Sequence, residues 1–147
     1  MSQSTPIAPA LEVAAADSSS ALNHFESLLR FETDCWDVHA SLAHASPGLP
    51  ERLSGVPRGF VLLDVRAPDA YAAGHVPGAI NLPHGRITDL NLAGYPSDTV
   101  FVVYCTGPHC NGADKAAVRL ARLNRPVKKM IGGIEGWKDE GFELASA

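Results

Sequence analysis

The stretch VFVVYCTGPHCNGADKAAVRLARLN, from Val100 to Asn124, decides the fold. It opens with a run of apolar and aromatic residues, which is the pattern of a strand buried on both faces. A short loop with two thiols, Cys105 and Cys110, follows, and a segment with helical periodicity comes next. The order strand, loop, helix is the unit from which a helix-covered parallel sheet is built.

The segment after the loop is amphipathic. Its apolar face consists of Ala113, Ala116, Ala117, Leu120 and Leu123. Its polar face consists of Asp114, Lys115, Arg119 and Arg122. Asn111 is a candidate N-cap for this helix, and Asn124 suits the left-handed position after its end. The pattern therefore predicts a helix that begins directly after the thiol loop.

The same alternation continues along the chain. FVLLDV (60–65) is a second buried strand, and AINL (79–82) and VKKMI (127–131) are further short strands. Helices are predicted at 22–30, after the candidate cap Asp34, from Pro68 to Ala73, and in IEGWKDEG (134–141). Alternating strands and helices indicate an α/β fold with a mainly parallel sheet flanked by helices.

The chain length of 147 residues is suited to one domain. Residues 1–19 are rich in Ala, Ser and Pro and are predicted to be a disordered arm. Residues 20–45 form a predicted helical extension, and 46–147 form the main domain, which starts in the Pro- and Gly-rich loop HASPGLPERLSGVPRG (44–59).

Composition and charge exclude several functional classes. A net charge of −4 argues against a nucleic-acid or anionic-membrane surface. No stretch reaches the roughly 18 apolar residues that a membrane span needs, and no Lys or Arg precedes Arg30 as in a signal peptide. We therefore expect a cytoplasmic protein. Three cysteines are too few for a disulfide framework, so the clustered thiols point to chemistry or to metal binding.

The position of Cys105 favours nucleophilic chemistry. It follows a buried strand, at the edge where ligands of open parallel sheets bind. Loop amides and the positive end of the following helix would stabilise a thiolate there. Asp114 in the first turn of that helix opposes this effect, and we expect the nearer loop amides to prevail.

Three motifs carry a family resemblance. They are LLDVRAPDAYAAGHVPGAINLP (62–83), VVYC (102–105) and MIGGIEGWKDEGFEL (130–144), in this order. With them the chain, from about Val38 to Leu144, resembles the single-domain rhodanese family of sulfurtransferases, which have a three-layer α/β fold.

The resemblance implies that Cys105 accepts sulfur from a sulfane donor such as thiosulfate and passes it, as a persulfide, to cyanide or a thiol. It implies no cofactor, and it is compatible with a protein acceptor. The predicted anion-cradling loop consists of Thr106, Gly107, Pro108, His109, Cys110, Asn111 and Gly112. By the same resemblance Asp64 and Arg66 form a structural salt bridge near the site, and His75 is a turn and packing residue.

The chain departs from the family pattern inside this loop. Many members carry a basic residue near the position of Cys110, whereas no Arg or Lys lies between Cys105 and Lys115. We therefore expect poor turnover of the thiosulfate dianion. The phosphatase relatives of this fold place Arg six residues after the cysteine, where this chain has Asn111, so phosphoryl chemistry is disfavoured.

Several alternatives stay open. Cys110 is either a resolving thiol that relays sulfur or closes a disulfide, or a loop thiol that shapes the pocket. His109 either contributes charge or is an exposed loop residue. A metal site is disfavoured because no second cysteine pair is present. Cys35 and Trp137 are interpreted as core residues. The alternative to an enzyme is a non-catalytic binding or redox-sensing module that uses Cys105 and Cys110.

Overall fold

The computed structural model describes residues 5–43 and 59–146. The predicted domain boundary at 45/46 lies outside these residues. The predicted loop at 44–59 also lies outside them, apart from Gly59. The predicted arm is exposed in its described part and forms one 3-10 turn at Pro9–Leu11. The first helix already begins at Ser18, so residues 18 and 19 belong to it. The disorder expected for the arm stays a prediction.

The described residues form a five-stranded parallel sheet with helices on both faces. The strands are β1 (Glu32–Thr33), β2 (Phe60–Asp64), β3 (Ile80–Asn81), β4 (Val100–Tyr104) and β5 (Val127–Met130), in the spatial order β1-β5-β4-β2-β3. The helices are α1 (Ser18–Phe31), α2 (Cys35–Ala43), α3 (Pro68–Ala73), α4 (Asp89–Leu92), α5 (Gly112–Arg122) and α6 (Gly133–Asp139). A second 3-10 turn spans His84–Arg86. The α/β prediction is confirmed.

The two central strands explain why the sheet has a core on each side. β2 and β4 pair in register from Phe60↔Val100 to Asp64↔Tyr104, and successive side chains point to opposite faces. Val61 and Val103 pack with α4 and α5, whereas Leu62 packs with α2 and α6. The continuous apolar runs in the sequence are thus buried on both faces, and the resulting architecture has three layers.

The predicted caps are present at some helix ends and absent at others. Asp34 caps α2 as predicted, by accepting a hydrogen bond from Asp37 N (2.8 Å). α1 begins four residues before the predicted start, and Asp17, which the sequence analysis did not name, caps it by accepting from Ser20 N (3.1 Å). Asn124 adopts the predicted left-handed conformation, with φ 58°. The predicted side-chain cap of α5 by Asn111 is wrong, because φ −95° and ψ 12° keep this residue out of the extended conformation that an N-cap uses.

α1 differs from the other long helices in its packing. None of its residues is buried, and Leu22, Phe25 and Leu29 are 60%, 61% and 72% exposed. The helix contacts the sheet mainly along β1 and β5, at one edge of the sheet. Within the described residues no helix combines the length and apolar character required to cross a bilayer.

Candidate active site

Cys105 lies directly after β4, at the carboxyl edge of the sheet, and is 7% exposed. It lines a cavity of ≈ 330 Å³ together with residues of its own loop and of the segment after β5. The lining residues are Cys105, Gly107, Pro108, Cys110, Ala113, Asp114, Lys129, Met130, Ile131, Gly132 and Gly133. The cavity occupies the edge where parallel α/β sheets bind their ligands.

The start of α6 holds the loop backbone in place. The carbonyl of Cys105 accepts a hydrogen bond from Ile134 N (3.0 Å), and that of Thr106 accepts one from Glu135 N (2.9 Å). This close approach requires Gly133, which has φ 59° and whose added Cβ would collide with the Cys105 carbonyl oxygen. The tight turn at Gly132 and Gly133 therefore has a specific effect: it anchors the loop carbonyls to the helix.

A turn inside the loop brings the second thiol back to the first. Cys110 N donates a hydrogen bond to Gly107 O (3.0 Å), which closes a tight turn in the loop between the two cysteines. A Cβ added to Gly112 would lie 2.8 Å from Cys105 Sγ and 3.5 Å from Cys110 Sγ. Both sulfurs therefore border the same small space, which is open only because residue 112 has no side chain.

The two thiols have opposite pKa shifts. Burial, together with the interaction with Cys110, raises the pKa of Cys105, although the Thr106 amide opposes this rise. The interaction with Cys105, then the Gly112 amide, lowers the pKa of Cys110. The Thr106 amide thus favours a Cys105 thiolate, as expected, but burial and Cys110 outweigh it and the pKa of Cys105 rises. Of the two thiols, the more exposed Cys110 has the lowered pKa.

The remaining loop residues lie around this pair in different environments. Thr106 is half-buried and turns its amide to both thiols. Pro108 and His109 are exposed, and His109 does not line the cavity. Asn111 is exposed and faces a separate groove along α5.

Lys129 is a cavity residue that the sequence reasoning missed. Its Nζ lies 3.0 Å from Asp114 Oδ1 and 3.9 Å from Glu32 Oε1. It is the one cation among the described residues that line the cavity. Its position follows from the parallel pairing of β4 with β5, where Val103 is opposite Lys129. The sequence shows a lysine near the end of a predicted strand. It does not show which strand lies beside that one, so it did not assign the lysine to the cavity.

The predicted salt bridge between Asp64 and Arg66 is present beside the site. Arg66 Nη2 lies 2.7 Å from Asp64 Oδ2, which also accepts a hydrogen bond from the Tyr104 hydroxyl (2.7 Å). Arg66 also donates to Gly74 O (2.6 Å), and Val76 N donates to the Tyr104 hydroxyl (3.0 Å). Burial opposes the charge of Arg66, but the hydrogen bonds and charge of Asp64 outweigh it and raise its pKa. The group is a closed structural network.

His75 and Cys35 have packing positions, as predicted. His75 is buried, stacks on Tyr71 at 3.8 Å between ring centroids and forms a backbone bridge to Ala145. Cys35 is buried beneath the Gly132 turn, and burial raises its pKa to about 11. Within residues 5–43 and 59–146 no group of three or more His, Cys, Asp or Glu side chains is placed to hold a metal ion.

Comparisons with known proteins agree with this architecture. The family model "Rhodanese-like domain" matches residues 51–140. The thiosulfate sulfurtransferase GlpE of Pseudomonas entomophila is 35% identical over 82 residues, which are 54% of this chain and 72% of that protein. The crystal structure of the BH2092 protein from Bacillus halodurans superposes with a TM-score of 0.77 at 34% identity and covers 88% of this chain and 87% of that one.

A further relative is a longer protein. The HTH-type transcriptional regulator Rv0324 of Mycobacterium tuberculosis is 43% identical over 84 residues. The match covers 56% of this chain but only 36% of the regulator, so the chain spans about a third of that relative's length.

Proposed function

The chain belongs to the rhodanese-like domain family, and on this premise we propose that it transfers sulfane sulfur through a persulfide on Cys105. One observation carries the proposal: Cys105 lies at the carboxyl end of β4 against a cavity of ≈ 330 Å³, in a loop whose carbonyls are fixed to α6. The donor is a small sulfane compound such as thiosulfate, and the acceptor is cyanide or a thiol.

The reaction has two half-reactions, each a displacement at sulfur. The Cys105 thiolate attacks the outer sulfur of thiosulfate, a sulfur–sulfur bond forms, and sulfite leaves with the electron pair of the broken bond. An acceptor thiolate or cyanide then attacks the outer sulfur of the persulfide, and Cys105 leaves as a thiolate. No net oxidation or reduction of the protein occurs.

The neighbours of Cys105 have separate roles in this scheme. The interaction between the two thiols raises the pKa of Cys105 and lowers that of Cys110, so Cys110 shares the control of the Cys105 thiolate with the loop. The Thr106 amide favours the negative charge on either sulfur. Lys129 attracts an anionic donor, although Asp114 and Glu32 share its charge.

Intact-mass measurement after incubation with thiosulfate tests the proposal. We expect Cys110→Ser, which keeps a single thiol in the cavity, to gain one sulfur, about 32 Da. Cys105→Ser should gain none. If neither thiosulfate nor inorganic polysulfide leaves a sulfur adduct on Cys110→Ser, sulfur transfer is wrong.

A redox-sensing module is the second candidate. It is favoured by the two thiols that border one space and by the similarity to a protein named as a transcriptional regulator. For this candidate we expect dilute peroxide to close a Cys105–Cys110 disulfide, while thiosulfate leaves no adduct on the protein and releases no sulfide. A sulfur adduct on Cys105 at stoichiometric donor would contradict a purely sensing role.

A further inference from the structure

We propose that Cys110 resolves the Cys105 persulfide, so that a Cys105–Cys110 disulfide closes and the transferred sulfur leaves as hydrogen sulfide. The inference rests on the proposed function, because it starts from the persulfide. It adds a second activity to it: reductive release of sulfide, in which a dithiol reductant, rather than a sulfur acceptor, completes the cycle.

The geometry of the loop supports an internal reaction. The turn from Gly107 O to Cys110 N returns the second thiol to the first, and both sulfurs border the space above Gly112. Four residues separate the two cysteines, so no distant segment has to move for the bond to close. Both cysteines also line the same cavity.

The exposure of the two thiols also favours Cys110 over an external thiol. Cys105 is 7% exposed, which restricts the access of a bulky external thiol, whereas Cys110 lines the same cavity and is half-buried. An internal thiol is held beside its target at an effective concentration that a dissolved thiol does not reach. Cys110 therefore meets the inner sulfur of the persulfide before a bulky acceptor reaches the outer sulfur.

The step balances in atoms and electrons. The Cys110 thiol gives its proton to the terminal sulfur of the persulfide, and the resulting Cys110 thiolate attacks Cys105 Sγ. The bond between Cys105 Sγ and the terminal sulfur breaks, and hydrosulfide leaves with the electron pair. The two cysteines are oxidised to a disulfide, the sulfane sulfur is reduced to sulfide, and an external dithiol then reduces the disulfide.

The experiment compares the fully reduced wild type with Cys110→Ser and Cys110→Ala after one equivalent of thiosulfate, whose leaving group is sulfite, so that the donor itself yields no sulfide. Sulfide is trapped with monobromobimane, and protein products are identified by intact mass without reductant. We expect the wild type to release about one sulfide per chain and to lose about 2 Da. Both Cys110 variants should instead retain an adduct of about 32 Da and release sulfide only after dithiothreitol is added.

The outcomes distinguish this inference from the proposed function. If the wild type keeps the adduct as long as the Cys110 variants do, Cys110 does not resolve the persulfide, and sulfur transfer stands. If no variant takes up sulfur and none releases sulfide, both ideas are wrong. Circular dichroism checks that each variant is folded.

Cys35→Ala is the matched control, because Cys35 is buried and lies outside the cavity lining. This variant should lose the same 2 Da, about the mass of two hydrogens, since only the loop pair remains to form the disulfide. A control that keeps the adduct would assign the disulfide to Cys35 and overturn the inference.

Discussion

Two polar clusters lie side by side at the carboxyl edge of the sheet, and they differ in how completely their groups are paired. In the first, Asp64, Arg66 and Tyr104 bond to one another and to the backbone, and Asp64 is fully buried. In the second, Cys105 and Cys110 have mainly each other and a few amides, and they face an open cavity. A closed network adds rigidity, whereas the incompletely paired thiols keep reactivity.

The largest expected effect is on stability, from Asp64→Ala in the closed cluster. The variant leaves a nearly buried Arg66 without its carboxylate and the Tyr104 hydroxyl without its acceptor. We expect the free energy of unfolding to fall by about 3–5 kcal/mol, as measured by urea denaturation. The exposed Asp98 provides the control: Asp98→Ala should change stability by at most about 0.5 kcal/mol. Equal losses for both variants would show that the network contributes nothing specific.

The next effect is on chemistry, from Gly112→Ala in the open cluster. The added Cβ would lie 2.8 Å from Cys105 Sγ, so the sulfur has to move. A displaced nucleophile loses rate steeply, and we expect adduct formation to slow at least about tenfold. Stopped-time intact-mass measurements give this rate. Gly94→Ala, where an added Cβ meets no atom within 4 Å, should react like the wild type.

The opposite pKa shifts of the thiols predict two different pH profiles for alkylation. Only a thiolate reacts with iodoacetamide, so a lowered pKa moves the reaction to lower pH. Cys110, whose pKa is lowered from 9.0, should reach its half-maximal rate below that pH, and Cys105 above it. Peptide mass spectrometry from about pH 6 to about pH 10 resolves the two sites. Identical pH profiles for Cys105 and Cys110 would contradict the opposite pKa shifts. The buried Cys35 is the control and should stay unmodified throughout.

The smallest expected effect concerns the charge of the cavity. Lys129→Met removes its cation, and Asp114→Asn frees that cation from its 3.0 Å partner. We expect the first variant to slow and the second to speed the reaction with thiosulfate, each by about threefold, because partly exposed charges interact weakly. Both differences should vanish near about 1 M salt and with an uncharged organic trisulfide as donor. A change that persists with the uncharged donor would mean that Lys129 acts by shape rather than by charge.

Local sequence patterns correctly predicted the features that depend on contacts within a few residues. The buried runs at 60–65 and 100–104, the amphipathic face of α5 and the left-handed Asn124 all depend on neighbours within a few residues, and all are confirmed. The Asn111 cap failed although it is local, because the loop that carries Cys105 and Cys110 imposes its own backbone angles there.

The features that the sequence did not reveal depend on contacts across the sheet. Lys129 reaches the cavity because β5 pairs with β4, and Gly133 anchors the loop because α6 begins against the Cys105 carbonyl. The proton balance between the thiols also depends on burial, which no spacing rule predicts.

The sequence by itself determined the α/β architecture, the family resemblance and the position of Cys105 at a strand end, because each follows from periodicity or from a motif read along the chain. Only the tertiary structure decided which thiol has the lowered pKa, that the cavity wall supplies a lysine, and that Cys110 returns to Cys105. These three properties depend on distances between groups that the fold brings together. Such distances decide how strongly charges interact and whether a sulfur–sulfur bond can form.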